Sequence, residues 1–269
     1  MSRRERGRWL SRRTRGARRG RGLRSKIAVV AALALAISAV AVAAFVLLRP
    51  SEPPGPPKAA IVDQLSLTFP NPDFIQNATN TLEQAGYTVD YYPGEEVTVE
   101  FYRRLPSHDY DVILFRVHAD RLLGTWQGRE IDEVILFTSE PYDKQKYLED
   151  RSRKRLTIAR YYEGGEPYFG IAPEFIEERM DGKFDDTLII MMGCEGLLSD
   201  RTAEAFVQKG ASTYISWDET VSASHTDAAS ELLLEHLLIE GLSEEEAVAQ
   251  TMAEIGPDPT YGSKLLVYP

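Results

Sequence analysis

Two uninterrupted apolar runs constrain this chain most: Val112-Ile113-Leu114-Phe115 and Leu188-Ile189-Ile190-Met191-Met192. A strand with one face in water alternates apolar and polar residues, whereas a strand that is apolar throughout has both faces covered. Such strands belong in a parallel sheet between helical layers. The rest of the pattern agrees. Strands are predicted at 59–65, 87–91, 110–117, 187–192 and 212–217, with a further apolar run at 133–137 and a closing strand at 264–268. Helical periodicity covers 74–85, 97–105, 200–209 and 226–240, and Gly86, Gly210 and Gly241 supply stops. Ser243-Glu244-Glu245-Glu246 is a capping box for a last helix. Residues 156–162 and 168–171, split by Glu163-Gly164-Gly165-Glu166, read as a hairpin. This alternation predicts an α/β fold, a three-layer sandwich around a mainly parallel sheet.

Chemistry gathers at the ends of the two runs. Cys194, the only cysteine, follows the second, inside Gly193-Cys194-Glu195-Gly196; His118 follows the first. Sites in open α/β sheets lie outside the carboxyl ends of the strands. There an imidazole can take the proton of a thiol, and the thiolate is the nucleophile. His225 is the competing base, at the start of the predicted helix 226–240. His108 sits in a turn, and His236 falls in mid-helix. The pairs His118/Asp120 and His225/Asp227 lie on separate loops, too few convergent ligands for zinc. No glycine pattern makes a phosphate loop or a dinucleotide fingerprint.

In this order the residues resemble the caspase–haemoglobinase group of cysteine peptidases, which includes caspases, legumains, gingipains, clostripain, separases and CHAT domains. There a histidine follows one central strand, the nucleophilic cysteine follows the next, and a hairpin excursion lies between them. Cys194-Glu195-Gly196 is similar to the group's cysteine turn. Ala203-Glu204-Ala205-Phe206, Gly210-Ala211-Ser212, Ser216-Trp217, Val221-Ser222, Gly241-Leu242-Ser243 and Glu246-Ala247-Val248 add likeness to gingipain and CHAT sequences. The resemblance spans residues 59–269. It implies a caspase-like sandwich and a thioacyl mechanism. Cys194 attacks a peptide carbonyl, His118 transfers protons, and the amides of Cys194 and Ala119 hold the oxyanion. The group usually has glycine at position 119; alanine keeps the amide but tolerates positive φ poorly. The 76 residues from His118 to Cys194 imply an inserted segment, placed around residues 142–154. Trp217 and Asp218 fall where the resemblance places the primary specificity pocket, and Asp63 ends the first strand; an acid in that pocket favours a basic substrate residue. A catalytically inactive relative that binds peptides or proteins, and a peptide transferase or ligase, are the alternatives.

The amino terminus sets the expected location. Residues 1–26 carry eleven arginines, Lys26 and one acid, Glu5; residues 27–48 carry no charge. About 20 apolar residues span a bilayer core, and the basic flank keeps the preceding tail cytoplasmic. A cleaved signal peptide ending at Ala41-Val42-Ala43 is the rival, but the apolar run continues through Phe45-Val46-Leu47-Leu48. The expectation is a cytoplasmic basic tail (1–26), a membrane anchor (27–48), a proline-rich linker (49–58) and one extracytoplasmic domain (59–269) on a prokaryotic cell surface. Residues 50–269 hold 18 basic and 40 acidic residues, a net charge of −22 against −10 for the whole chain. That acidity argues against nucleic acid as a partner. Peptide or protein substrates and the membrane are the expected partners. No cofactor is expected; the acid excess leaves calcium open, and oligomeric state is not legible.

Overall fold

A computed structural model describes residues 55–269. The predicted tail and anchor, residues 1–48, lie outside the described residues. Among the described residues, no helix is long and apolar enough to cross a membrane.

The fold is mixed α/β around a six-stranded, mostly parallel sheet. In chain order, its strands are β1 (Lys58–Asp63), β2 (Thr88–Pro93), β3 (Val112–Arg116), β8 (Thr187–Met191), β9 (Ala211–Trp217) and β10 (Leu265–Tyr268). Their spatial order is β10-β9-β8-β3-β1-β2, with β10 alone antiparallel. Both apolar runs become central strands buried at every position.

Alternation along each strand divides the interior between two faces. Ala60, Val62, Ile113, Phe115, Ile189 and Met191 enter one core. It is closed by α2 (Val99–Arg104), α4 (Pro173–Arg179) and α5 (Arg201–Gln208). Ala59, Ile61, Val112, Leu114, Leu188 and Ile190 enter the other. It is closed by α1 (Pro72–Gln84), α6 (Ala223–Leu234) and α7 (Glu244–Ile255). Burying a large aliphatic side chain is worth about 1.5–3 kcal/mol, so these strands supply much of the folding energy. The helix starts are locally specified. Asn71 accepts from the Phe74 N–H ahead of Pro72, Thr98 caps α2, and the Ser243–Glu246 capping box forms as the sequence predicts.

A second, four-stranded antiparallel sheet lies between β3 and β8 in the chain, ordered β4-β5-β7-β6. The predicted hairpin is β6 (Leu156–Ala159) paired with β7 (Tyr168–Ile171). β7 also pairs with β5 (Arg129–Pro141), which with β4 (Ala119–Trp126) forms a long hairpin that the apolar run 133–137 alone does not predict. This hairpin occupies residues 119–141 of the segment between His118 and Cys194. The segment 142–154, where an insertion was expected, holds only the short helix α3 (Leu148–Ser152). The helix α4 has no counterpart among the predicted elements, although Pro173 stands at its first position.

Candidate functional site

The carboxyl ends of β1, β3, β8 and β9 open into one cleft. Two adjoining cavities, about 450 and 520 Å³, share His118, Tyr161, Cys194 and Thr220 in their walls. The structure therefore brings together the two residues that the sequence singled out.

Local packing explains their approach. A Cβ on Gly193 would overlap the Val117 carbonyl oxygen, so the loop bearing Cys194 runs against the backbone just before His118. A Cβ on Gly196 would overlap Ser216 Oγ, which itself donates to Met191 O at 2.7 Å. Both glycines flanking Cys194 are thus required by close approach. Glu195 between them has φ 61°, a left-handed conformation costing a non-glycine residue about 1–2 kcal/mol. Its N–H donates to Glu219 O at 3.0 Å, and its carboxylate accepts from Thr220 Oγ1 at 3.1 Å.

His118 sits among Phe69, Phe137 and Tyr161, with ring centroids 6.0, 5.8 and 4.8 Å away. Its Nε2 lies 2.9 Å from Thr68 Oγ1, which leaves Nδ1 as the nitrogen available to a thiol. Gln64, fully buried, ties the loop down: its Oε1 accepts the His118 N–H and its Nε2 donates to the Tyr161 hydroxyl. Burial, followed by the Arg116 charge, pushes the His118 pKa down to about 4. Burial pushes the Cys194 thiol above its usual value. The hydrogen bond from Sγ to Val221 O, 3.6 Å long, offsets part of this, while Glu195, Asp120 and Asp258 add to the rise. At neutral pH the resting pair is a neutral thiol and a neutral imidazole.

Ala119 opens β4, and its φ is not in the left-handed region. Alanine therefore fits without the strain that a positive φ would bring. Phe137 N–H donates to His118 O at 2.9 Å, which makes Ala119 opposite Leu136 a non-hydrogen-bonded pair. The Ala119 N–H points away from β5, at the free edge of its sheet. The Cys194 N–H has no acceptor among the described residues. Ala119 and Cys194 line one cavity, and among the described residues neither N–H has an acceptor.

The other candidates sit elsewhere. Asp63, Trp217 and Asp218 line neither cavity around Cys194. Asp63 is buried against Arg116, and burial outweighs that cation in raising its pKa. Trp217 is fully buried, its Nε1 donating to Thr226 Oγ1 at 2.9 Å. Asp218 accepts from the Lys264 N–H at 2.7 Å and so secures β10. His225 faces Gly256 O, His108 stacks on Tyr110, and His236 is buried beside Glu240 and Glu254. Among the described residues, no group of three or more potential metal ligands converges. Gln64, Thr68, Phe69, Tyr161, Val221 and Tyr261 also belong to the site, although no local pattern marks them: in the fold they lie beyond the strand ends, on the connections.

Comparison of the chain with protein-family models gives no match, and a search of curated proteins gives none.

Proposed function

We propose that this chain is a membrane-anchored, extracytoplasmic cysteine endopeptidase resembling the caspase–haemoglobinase group, with Cys194 as nucleophile and His118 as its base. One observation carries the reading. The only cysteine and His118 stand past the carboxyl ends of neighbouring parallel strands, β8 and β3, and face the same two cavities. The anchor rests on the sequence of residues 27–48 alone.

In the proposed reaction His118 Nδ1 takes the Cys194 proton as Sγ attacks the peptide carbonyl. In the tautomer that leaves Nδ1 basic, Nε2 keeps its proton and donates it to Thr68 Oγ1, whose own hydroxyl donates to Leu65 O. Because the resting pair is neutral, proton transfer accompanies attack rather than preceding it. The developing oxyanion is met by the N–H groups of Ala119 and Cys194; one such donor is typically worth about 3–4 kcal/mol. Protonated His118 then gives its proton to the leaving amine, and water hydrolyses the thioester.

The test is covalent labelling of the full chain, in detergent and reducing conditions, with peptidyl acyloxymethyl ketones. The adduct is expected at Cys194. Cys194→Ala abolishes turnover, and His118→Ala lowers it by about 10²–10⁴-fold. Full turnover by Cys194→Ala, or an equal loss in His225→Ala, overturns the assignment.

A second reading, a peptide-binding cleft without hydrolysis, is favoured by the neutral pair and by the thiol's hydrogen bond to Val221 O rather than to the imidazole. Peptide binding with no adduct in folded protein selects it. A ligase is distinguished by products joined to an added amine.

A further inference from the structure

We infer that the cavity bounded by Phe69, Met192, Val221 and Tyr261 receives an uncharged, apolar or aromatic side chain, that of the substrate residue whose carbonyl Cys194 attacks. The inference rests on the peptidase reading and specifies its substrate.

Two cavities meet at Cys194, and they differ in chemistry. The one holding Ala119 also presents Asp120, Arg160, Glu163 and Glu195. A carbonyl oxygen directed at the Ala119 N–H points into that cavity. The acyl residue's Cα is a separate substituent of that carbon, directed away from its oxygen, and the side chain it bears enters the other cavity. That cavity, about 450 Å³, is lined by no Asp, Glu, Lys or Arg among the described residues. Small-molecule pockets run from about 300 to 1,000 Å³, so a full aromatic side chain has room.

Three acids behind this wall are already engaged. Asp227 is bound by Arg116 and Asn71, and Asp63 by Arg116 and Tyr91. Burial alone would raise the Asp258 carboxyl, but the amides of Ser222, Tyr261 and Thr260 hold it down to about 2. Asp258 thus fastens the 220–223 loop to the 258–261 loop and builds the wall without charging its inner surface. At the mouth Phe69 and Tyr261 remain 54% and 56% exposed, two rings placed to close over an apolar group. Acidic specificity for a basic residue, expected from Asp63 or Asp218, has no free carboxylate here to supply it. An ionised side chain driven into this cavity would lose hydration with no opposite charge in the lining to offset the loss.

The test uses the full chain and peptidyl acyloxymethyl ketones that are identical except for Phe, Leu, Asp or Arg next to the ketone. Cys194 is expected to be labelled by the Phe and Leu compounds at least about 100-fold faster than by the Asp and Arg compounds. Faster labelling by Asp or Arg overturns the inference while leaving Cys194 as nucleophile. A second arm is independent of chemistry: N-acetylated peptide amides carrying Phe or Arg are titrated onto Cys194→Ala by fluorescence anisotropy. At least about tenfold tighter binding of the Phe peptide is expected. If no electrophile labels Cys194, the peptidase reading fails and this arm alone decides the cavity; equal or reversed affinities overturn it. Ala223→Asp places a carboxylate on the same wall in the first turn of α6, where a helix tolerates it. That variant is expected to raise Arg labelling relative to Phe at least about tenfold, and an unchanged ratio also refutes the placement.

Discussion

Replacing Arg116 with methionine tests the most demanding electrostatic feature beneath the site. Arg116 is 1% exposed, and its guanidinium joins two buried carboxylates. Nη1 meets Asp63 Oδ1 at 2.8 Å, while Nε and Nη2 hold Asp227 at 2.6 and 2.8 Å. Nη2 also donates to Phe69 O at 2.8 Å, beside the residue that contacts His118. Methionine keeps the bulk and removes the charge, so both acids lose their cation. Breaking a buried pair from one side costs about 3–5 kcal/mol. For a domain of this size that is a fall in Tm of roughly 6–20 °C. The deficit should depend on pH. Burial already raises the Asp63 carboxyl and Arg116 opposes it, so without Arg116 the variant's folded form binds more protons than its unfolded form above about pH 4. Its stability then declines as pH rises, and the gap to the parent is smaller at pH 5 than at pH 8. Urea denaturation followed by circular dichroism at both pH values measures this gap. A loss below about 1 kcal/mol, or a gap that widens at pH 5, would show that the buried cation does not hold these acids.

His118 carries its own linkage. Its folded pKa of about 4 lies below the ordinary histidine value, so its neutral form contributes stability that is full above about pH 6.5 and is lost as pH falls towards 4. At about 1.4 kcal/mol per pH unit the loss approaches about 3 kcal/mol; His118→Gln should flatten this part of the stability curve, and an unchanged slope refutes the burial account. Iodoacetamide alkylation of Cys194 should keep accelerating up to and beyond pH 9, because the thiol is raised; a rate already level between pH 5 and 7 would instead reveal a preformed thiolate. Gly193→Ala should slow Cys194 labelling by at least about tenfold, since its Cβ must displace the backbone at Val117. Labelling at the parental rate would mean that the two loops move independently.

The new hairpin β4–β5 shows why part of the fold escaped the sequence. Most positions of β4 are exposed, and Leu123 is 61% exposed, so no buried face imposes a two-residue period. A usable signal did exist. Gln127-Gly128 has φ of 48° and 81°, the two-residue turn that hairpins prefer, between Trp126 and Arg129. The cleft is a harder case. Thr68 and Tyr161 reach His118 from segments distant in the chain, and no local pattern announces such meetings.

By itself, the sequence determined which strands are central, because residues buried on both faces must be apolar at every position. It fixed helix starts where caps satisfy free N–H groups, as at Ser243. It also placed the lone thiol and His118 at strand ends. Only the tertiary structure decided what surrounds them. In the sequence Asp63 is a pocket candidate; in the fold Arg116, 53 residues later, claims its carboxylate. Charge, pKa and pocket chemistry depend on neighbours within a few ångströms, and those neighbours are chosen by the packing of the whole sheet rather than by sequence spacing.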